Sequence, residues 1–123
     1  MEAERPRLFS KPVIDPLNTI TWFAMDALWI AQLDWPAYVA AALTVVTGVL
    51  LLILGWRKGR AELYADLGLN CWIIMNTVWL AYDLNGAKTP RAFALVMGVL
   101  GMTFIAAAAR HSQDIRRMRI LKR

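Results

Sequence analysis

The sequence predicts an all-α, polytopic membrane protein with four transmembrane helices, and three observations support this prediction. First, 59% of the 123 residues are hydrophobic and the mean hydropathy is +0.43, whereas soluble domains contain about 45–50% apolar residues. Second, the apolar residues form long runs that can each cross a hydrocarbon core of about 30 Å. These segments are 17–33, 37–56, 67–84 and 90–109. Third, the basic residues are distributed unevenly along the chain.

Almost all of the 14 Lys and Arg residues lie in the N-terminal tail, the 57–66 loop or the C-terminal tail. The other loops hold only Lys88 and Arg91. Because basic loops stay on the cytoplasmic side, we expect an inner (plasma) membrane location with both termini in the cytoplasm. The pI near 9.9 does not point to nucleic acid, since no basic face interleaved with aromatic residues is visible.

Turn and cap residues separate the four segments. The cytoplasmic tail 1–16 is expected to be irregular, with Asp15 as the cap and Pro16 in the first turn of the first helix. Pro36 suits the first turn of the second helix, so the first two helices form a tight hairpin. Asn85-Gly86 predicts the turn after the third helix.

The basic tail 110–123 has two possible structures. Its apolar residues recur at i, i+3 and i+6, which suits an amphipathic helix on an anionic inner leaflet. The arginines that would contact this leaflet are Arg116, Arg117 and Arg119. Alternatively, the fourth helix simply extends into water.

A pattern in the first hairpin recurs fifty positions later. Residues 22–29 read Trp-Phe-Ala-Met-Asp-Ala-Leu-Trp and residues 72–79 read Trp-Ile-Ile-Met-Asn-Thr-Val-Trp. Gly48-Val49-Leu50 likewise matches Gly98-Val99-Leu100. Two helices per unit make this a parallel repeat of two tandem hairpins, with a pseudo-twofold axis along the membrane normal.

The repeat places a polar residue between tryptophans on one face of the first and third helices. An acid in hydrocarbon is costly and needs a reason. One reason is structural, a hydrogen bond to a neighbouring helix with tryptophans filling the core. The other is a binding site for a cation or a small flat solute, with Asp26 as the candidate for proton coupling. The candidate residues are Asp26, Asn76, Trp22, Trp29, Trp72, Trp79 and Asp83.

These features favour a small transporter or channel that carries a small solute or cation, and a homodimer would help such a short chain to enclose a path. The alternative is a non-catalytic assembly, sensor or scaffold subunit that binds a partner helix or lipid. An enzyme is less favoured, because no catalytic cluster is recognisable. We expect no metal and no cofactor, since Cys71 and His111 are the only cysteine and histidine.

Residues 37–109 resemble the three-helix unit of SemiSWEET sugar transporters in the PQ-loop group. The segment 37–41, Ala-Tyr-Val-Ala-Ala, resembles the start of that unit, and Trp79, Tyr82 and Pro90 match its Trp-x-x-Tyr-Gly motif and following proline. The resemblance implies that Trp79 stacks on a sugar. The chain departs from the family at Leu50-Leu51, where the family has Pro-Gln. Asp83 replaces the motif's glycine, and Leu95 replaces the sugar-binding asparagine.

Overall fold

Four helices in chain order make up the fold. The computed structural model describes the backbone of residues 9–121 and the side chains of residues 9–113. The helices are α1 (Lys11–Ile30), α2 (Asp34–Gly55), α3 (Arg60–Leu84) and α4 (Arg91–Leu121), and no strand occurs within residues 9–121. The predicted all-α, four-helix architecture is therefore confirmed. Residues 1–8 of the predicted 1–16 tail and the side chains of Arg116, Arg117 and Arg119 lie outside what is described.

The first helix starts earlier than the sequence predicted. It begins at Lys11, with Ser10 at the N-cap and Pro12 in the first turn, and it includes Pro16. The backbone N–H groups of Val13 and Ile14 donate to the carbonyl of Ser10. A proline in the first turn loses no hydrogen bond that the helix would make, so the earlier start is allowed. At the other end of the chain, α4 continues without a break beyond Ala109, which matches the extended-helix alternative.

Each hairpin's first helix ends in the same kind of turn. The N–H of Leu33 donates to the carbonyl of Leu28 and that of Gln32 to Trp29, with Gln32 at φ 58°. After α3, Gly86 adopts φ 73°, and Ala87 donates to the carbonyl of Tyr82. This pattern is a Schellman cap. It satisfies the last carbonyls of α1 and α3 and reverses the chain within a few residues.

The helices pack in sequence order, α1 on α2, α2 on α3 and α3 on α4. A buried apolar cluster lies where α1, α2 and α3 meet, and its members are Met25, Ala37, Ala40, Ala41 and Leu80. The small residues on α2 let both neighbouring helices approach closely. At Gly48 the approach of α3 is close, because a β-carbon there would lie 2.7 Å from Cδ1 of Ile73.

The packing does not repeat in the way the sequence does. A twofold axis between the hairpins would exchange α1 with α3 and α2 with α4, so the packing of α2 on α3 would be repeated by packing of α4 on α1. No packing of α4 on α1 is found in the described part of the chain. Gly98 is the counterpart of Gly48, yet a β-carbon added to Gly98 would have no atom within 4 Å. The second hairpin therefore has a different environment from the first.

Two of the helices are long and apolar enough to cross a membrane. They are α2 and the Arg91–Gln113 part of α4. Almost none of the α4 segment is buried, and large apolar side chains on it are exposed, including Leu95, Val96 and Met102. Length and composition thus make α2 and α4 candidate membrane spans.

Candidate functional site between α1 and α3

Long side chains bridge the groove between α1 and α3, whose backbones do not pack closely on each other. Trp22 and Trp72 meet edge to face, with ring centroids 5.5 Å apart and an interplanar angle of 76°. Trp29 and Trp79 do the same at 5.0 Å and 82°. Both distances suit edge-to-face aromatic pairs. The tryptophans that match across the repeat therefore contact one another.

A cavity of about 500 Å³ opens at the Trp29 end of this groove, and we call it the acidic cavity. It brings together five of the seven candidate residues, while Trp22 and Trp72 pair with each other further along the helices. The residues that line it are Asp26, Trp29, Ile30, Gln32, Asn76, Trp79 and Asp83.

The two carboxylates of the acidic cavity have different surroundings. Trp29 donates its indole N–H to Oδ2 of Asp83 over 2.7 Å, which orients that carboxylate. Within residues 9–113, the carboxyl group of Asp26 makes no hydrogen bond or ion pair. Asn76 donates its amide to the backbone carbonyl of Trp72 at 2.9 Å, so it does not reach Asp26. The structural alternative for Asp26, a hydrogen bond to a neighbouring helix, is not observed within these residues.

The lining of the acidic cavity carries negative charge and aromatic surface. Asp26 and Asp83 are its charged residues, and no Lys or Arg lines it. Trp79 is 51% exposed, so part of its surface is open to a ligand. Carboxylates beside an indole face attract a cation through charge and through the ring quadrupole. The chemistry of these side chains therefore suits a small cation.

A buried polar row in the middle of the groove was not recognised from the sequence. Asn18 is 1% exposed and donates to the carbonyl of Thr44 at 3.1 Å and to the hydroxyl of Thr47 at 2.8 Å. Asn70 donates to the carbonyl of Gly48 at 3.0 Å. The spacing of Asn18, four residues before Trp22, puts it on the same stripe of α1 and could have revealed it.

The Lys11 end of the groove holds an ion-pair cluster that joins α1 to α3. The ammonium of Lys11 lies 2.6 Å from Oε1 of Glu62 and 2.7 Å from Oδ2 of Asp66. The side chains of Lys11 and Asp66 are only 14% and 11% exposed. A cavity of about 360 Å³ adjoins them.

Burial and hydrogen bonding act in opposite directions at this cluster. Burial lowers the pKa of Lys11, but the hydrogen bonds to Asp66 and Glu62 outweigh it, so the pKa is raised above 10.5. At Asp66, burial raises the pKa, and the bond to Lys11 opposes this only in part.

Comparison with known proteins identifies no relative: no protein family, no curated protein and no solved structure matches this chain. Among the residues with described side chains, no group of three or more His, Cys, Asp or Glu could hold a metal ion. The interpretation of the site therefore depends on its own geometry and charge.

Proposed function

We propose that this chain is a small integral membrane transporter or channel in which all four helices cross the bilayer and the groove between α1 and α3 carries a small cation. The distribution of basic residues supports a cytoplasmic location for both termini. In this orientation the acidic cavity opens toward the outer face, and the Lys11 end faces the cytoplasm.

The exposed apolar surface of α4 supports the membrane location. Val96, Val99 and Met102 are 63%, 59% and 68% exposed, and soluble monomers rarely expose such a contiguous apolar face. Hydrocarbon or a second copy of the chain would cover it. The acids Asp26 and Asp83 then lie along the groove between two helices.

The acidic cavity is the observation that carries the proposal. Two carboxylates, one of them unpaired, line a space of about 500 Å³ next to an exposed indole ring. An ionised acid at this depth is costly unless water or a cation reaches it. A cation that enters would be attracted by Asp26 and Asp83 and would contact Trp79. Asn76 could add a hydrogen bond to a polar ligand if its side chain turned from the Trp72 carbonyl.

A second candidate function is favoured by an apolar cavity of about 590 Å³ between α3 and α4. Its lining includes Met75, Met97 and Met102 together with Gly98 and Gly101, a surface that would accept an apolar side chain. In this alternative the chain is a non-catalytic subunit that binds a partner helix or lipid there. The acidic cavity would then have no transport role.

Flux measurements in proteoliposomes distinguish the two functions. Wild type is compared with Asp26→Asn and with Asp34→Asn, a control in which an exposed acid outside the acidic cavity is neutralised. The solutes are sodium, methylammonium, tetramethylammonium and a neutral sugar. We expect cation flux in wild type and in Asp34→Asn, and a loss of most of that flux in Asp26→Asn. The absence of flux for every solute, with all variants folded, would favour the subunit function.

A further inference from the structure

The ion-pair cluster at the Lys11 end closes the groove on the side opposite the acidic cavity. Lys11 comes from the first turn of α1, and its two partners lie one turn apart on α3. At this end of the groove, a single ammonium therefore joins α1 to α3, whose backbones do not pack closely on each other. The remaining charged groups around the adjoining cavity are Asp15 of α1 and Lys58 of the loop after α2.

Gly55, the last residue of α2, makes room for this ion pair. A β-carbon on Gly55 would lie 2.6 Å from Oδ2 of Asp66 and 2.7 Å from Nζ of Lys11. Both atoms are the far ends of side chains, so a methyl group would displace the ion pair without moving a backbone. The absence of a side chain at this position lets the lysine and the aspartate meet against α2.

We propose that Lys11, Glu62 and Asp66 form a latch that holds the cytoplasmic end of the α1–α3 groove closed, and that the pathway opens there when the Lys11 ammonium leaves the two acids. This inference rests on the proposed function, because it concerns regulation of the same groove. The arrangement leaves the groove open at the acidic cavity and closed at the latch. A cation that reached Glu62 and Asp66 would compete with the tethered ammonium for the same oxygens.

The burial of the latch gives it two distinct states. When closed, the ammonium has two carboxylate partners and little solvent around it. When Lys11 leaves, two acids one helical turn apart on α3 lose the ammonium between them, and like charges at this spacing repel. Water or a cation must then enter to solvate them. Separation of α1 from α3 at the latch is therefore coupled to hydration of the groove.

The latch is tested by the distance between α1 and α3, which does not depend on transport. Spin labels are placed at the exposed positions Phe9 and Arg60 in a Cys71→Ala background, and the distance is measured in lipid nanodiscs. Lys11→Met removes the ammonium. Gly55→Ala keeps every charge but displaces the ion pair, and Gly98→Ala is its matched control, because no atom lies within 4 Å of a β-carbon there.

We expect a shift to longer and broader distances in Lys11→Met and Gly55→Ala, and the wild-type distribution in Gly98→Ala. Unchanged distances in Lys11→Met and Gly55→Ala would overturn the latch. If Lys11→Met does not fold, the distance measured in Gly55→Ala decides alone, and an unchanged distance overturns the latch. A longer distance combined with no cation flux in any variant would support the latch while refuting the proposed transport.

Discussion

Gly48 and Gly98 occupy matching positions of the repeat, and replacing each with alanine shows whether the two hairpins have equivalent surroundings. At Gly48 a β-carbon would lie 2.7 Å from Cδ1 of Ile73 and 3.1 Å from Oδ1 of Asn70. Ile73 is 1% exposed, so its methyl group has little space into which it can move. At Gly98 a β-carbon meets nothing within 4 Å.

The expected magnitudes follow from two opposing effects. Alanine is favoured over glycine inside a helix by roughly 1 kcal/mol, and this gain applies to both positions. Overpacking a buried contact costs about 1–3 kcal/mol, and this cost applies only to Gly48, where Asn70 is also held by its bond to the Gly48 carbonyl. We therefore expect Gly98→Ala to be stabilised and Gly48→Ala to be less stable than Gly98→Ala by about 1–3 kcal/mol.

Thermal unfolding in detergent micelles measures this difference. Cys71 is buried and is the only cysteine, so its reaction with a thiol-reactive dye reports unfolding without any added label. A difference of 1 kcal/mol corresponds to roughly 4 °C for a chain of this size. Equal changes in the two variants, or a larger loss of stability in Gly98→Ala, would refute the packing that separates the two hairpins.

Two further predictions concern the groove. Asn18→Ala removes two hydrogen bonds to α2, and we expect it to lower the free energy of unfolding by about 1–2 kcal/mol. The same dye assay measures this loss. The control is Thr103→Ala, which should change the stability little because the Thr103 hydroxyl donates only to a carbonyl of its own helix. The pKa of Lys11 is raised above 10.5 by its bonds to Asp66 and Glu62. The contribution of the Lys11 ion pair to the free energy of unfolding is therefore complete below pH 10.5 and is lost as the pH rises through the folded-state pKa of Lys11. Unfolding measured across this alkaline range should show the loss in wild type and not in Lys11→Met, and a loss of the same size in both would contradict the assignment.

The sequence predicted four helices, because apolar runs are local patterns. The uncharged run 37–56 corresponds closely to α2 (Asp34–Gly55). The repeat placed Trp29 and Trp79 at matching positions, and the fold brings the two rings into contact. The predicted start of α1 was wrong because either Pro12 or Pro16 could mark a first turn, and only the fold shows that the first turn holds Pro12 while Pro16 lies inside the helix.

The ion pair between Lys11 and Asp66 could not be predicted in the same way. Its partners are 55 residues apart, and their contact requires both the early start of α1 and the absence of a side chain at Gly55. The four-residue spacing of Glu62 and Asp66 was a usable signal, since it places two acids on one face of α3. The identity of their partner depends on how the helices pack.

Equilibrium binding of a cation to the acidic cavity tests the central claim most directly. Tetramethylammonium is titrated into the purified protein in detergent and the heat of binding is recorded for wild type, Asp26→Asn, Asp83→Asn and Asp34→Asn. We expect wild type and Asp34→Asn to bind with equal affinity, and each cavity variant to bind about tenfold more weakly, which corresponds to roughly 1.4 kcal/mol. Absence of binding in wild type, or equal affinity in all four proteins, would contradict the claim that Asp26 and Asp83 form a cation site.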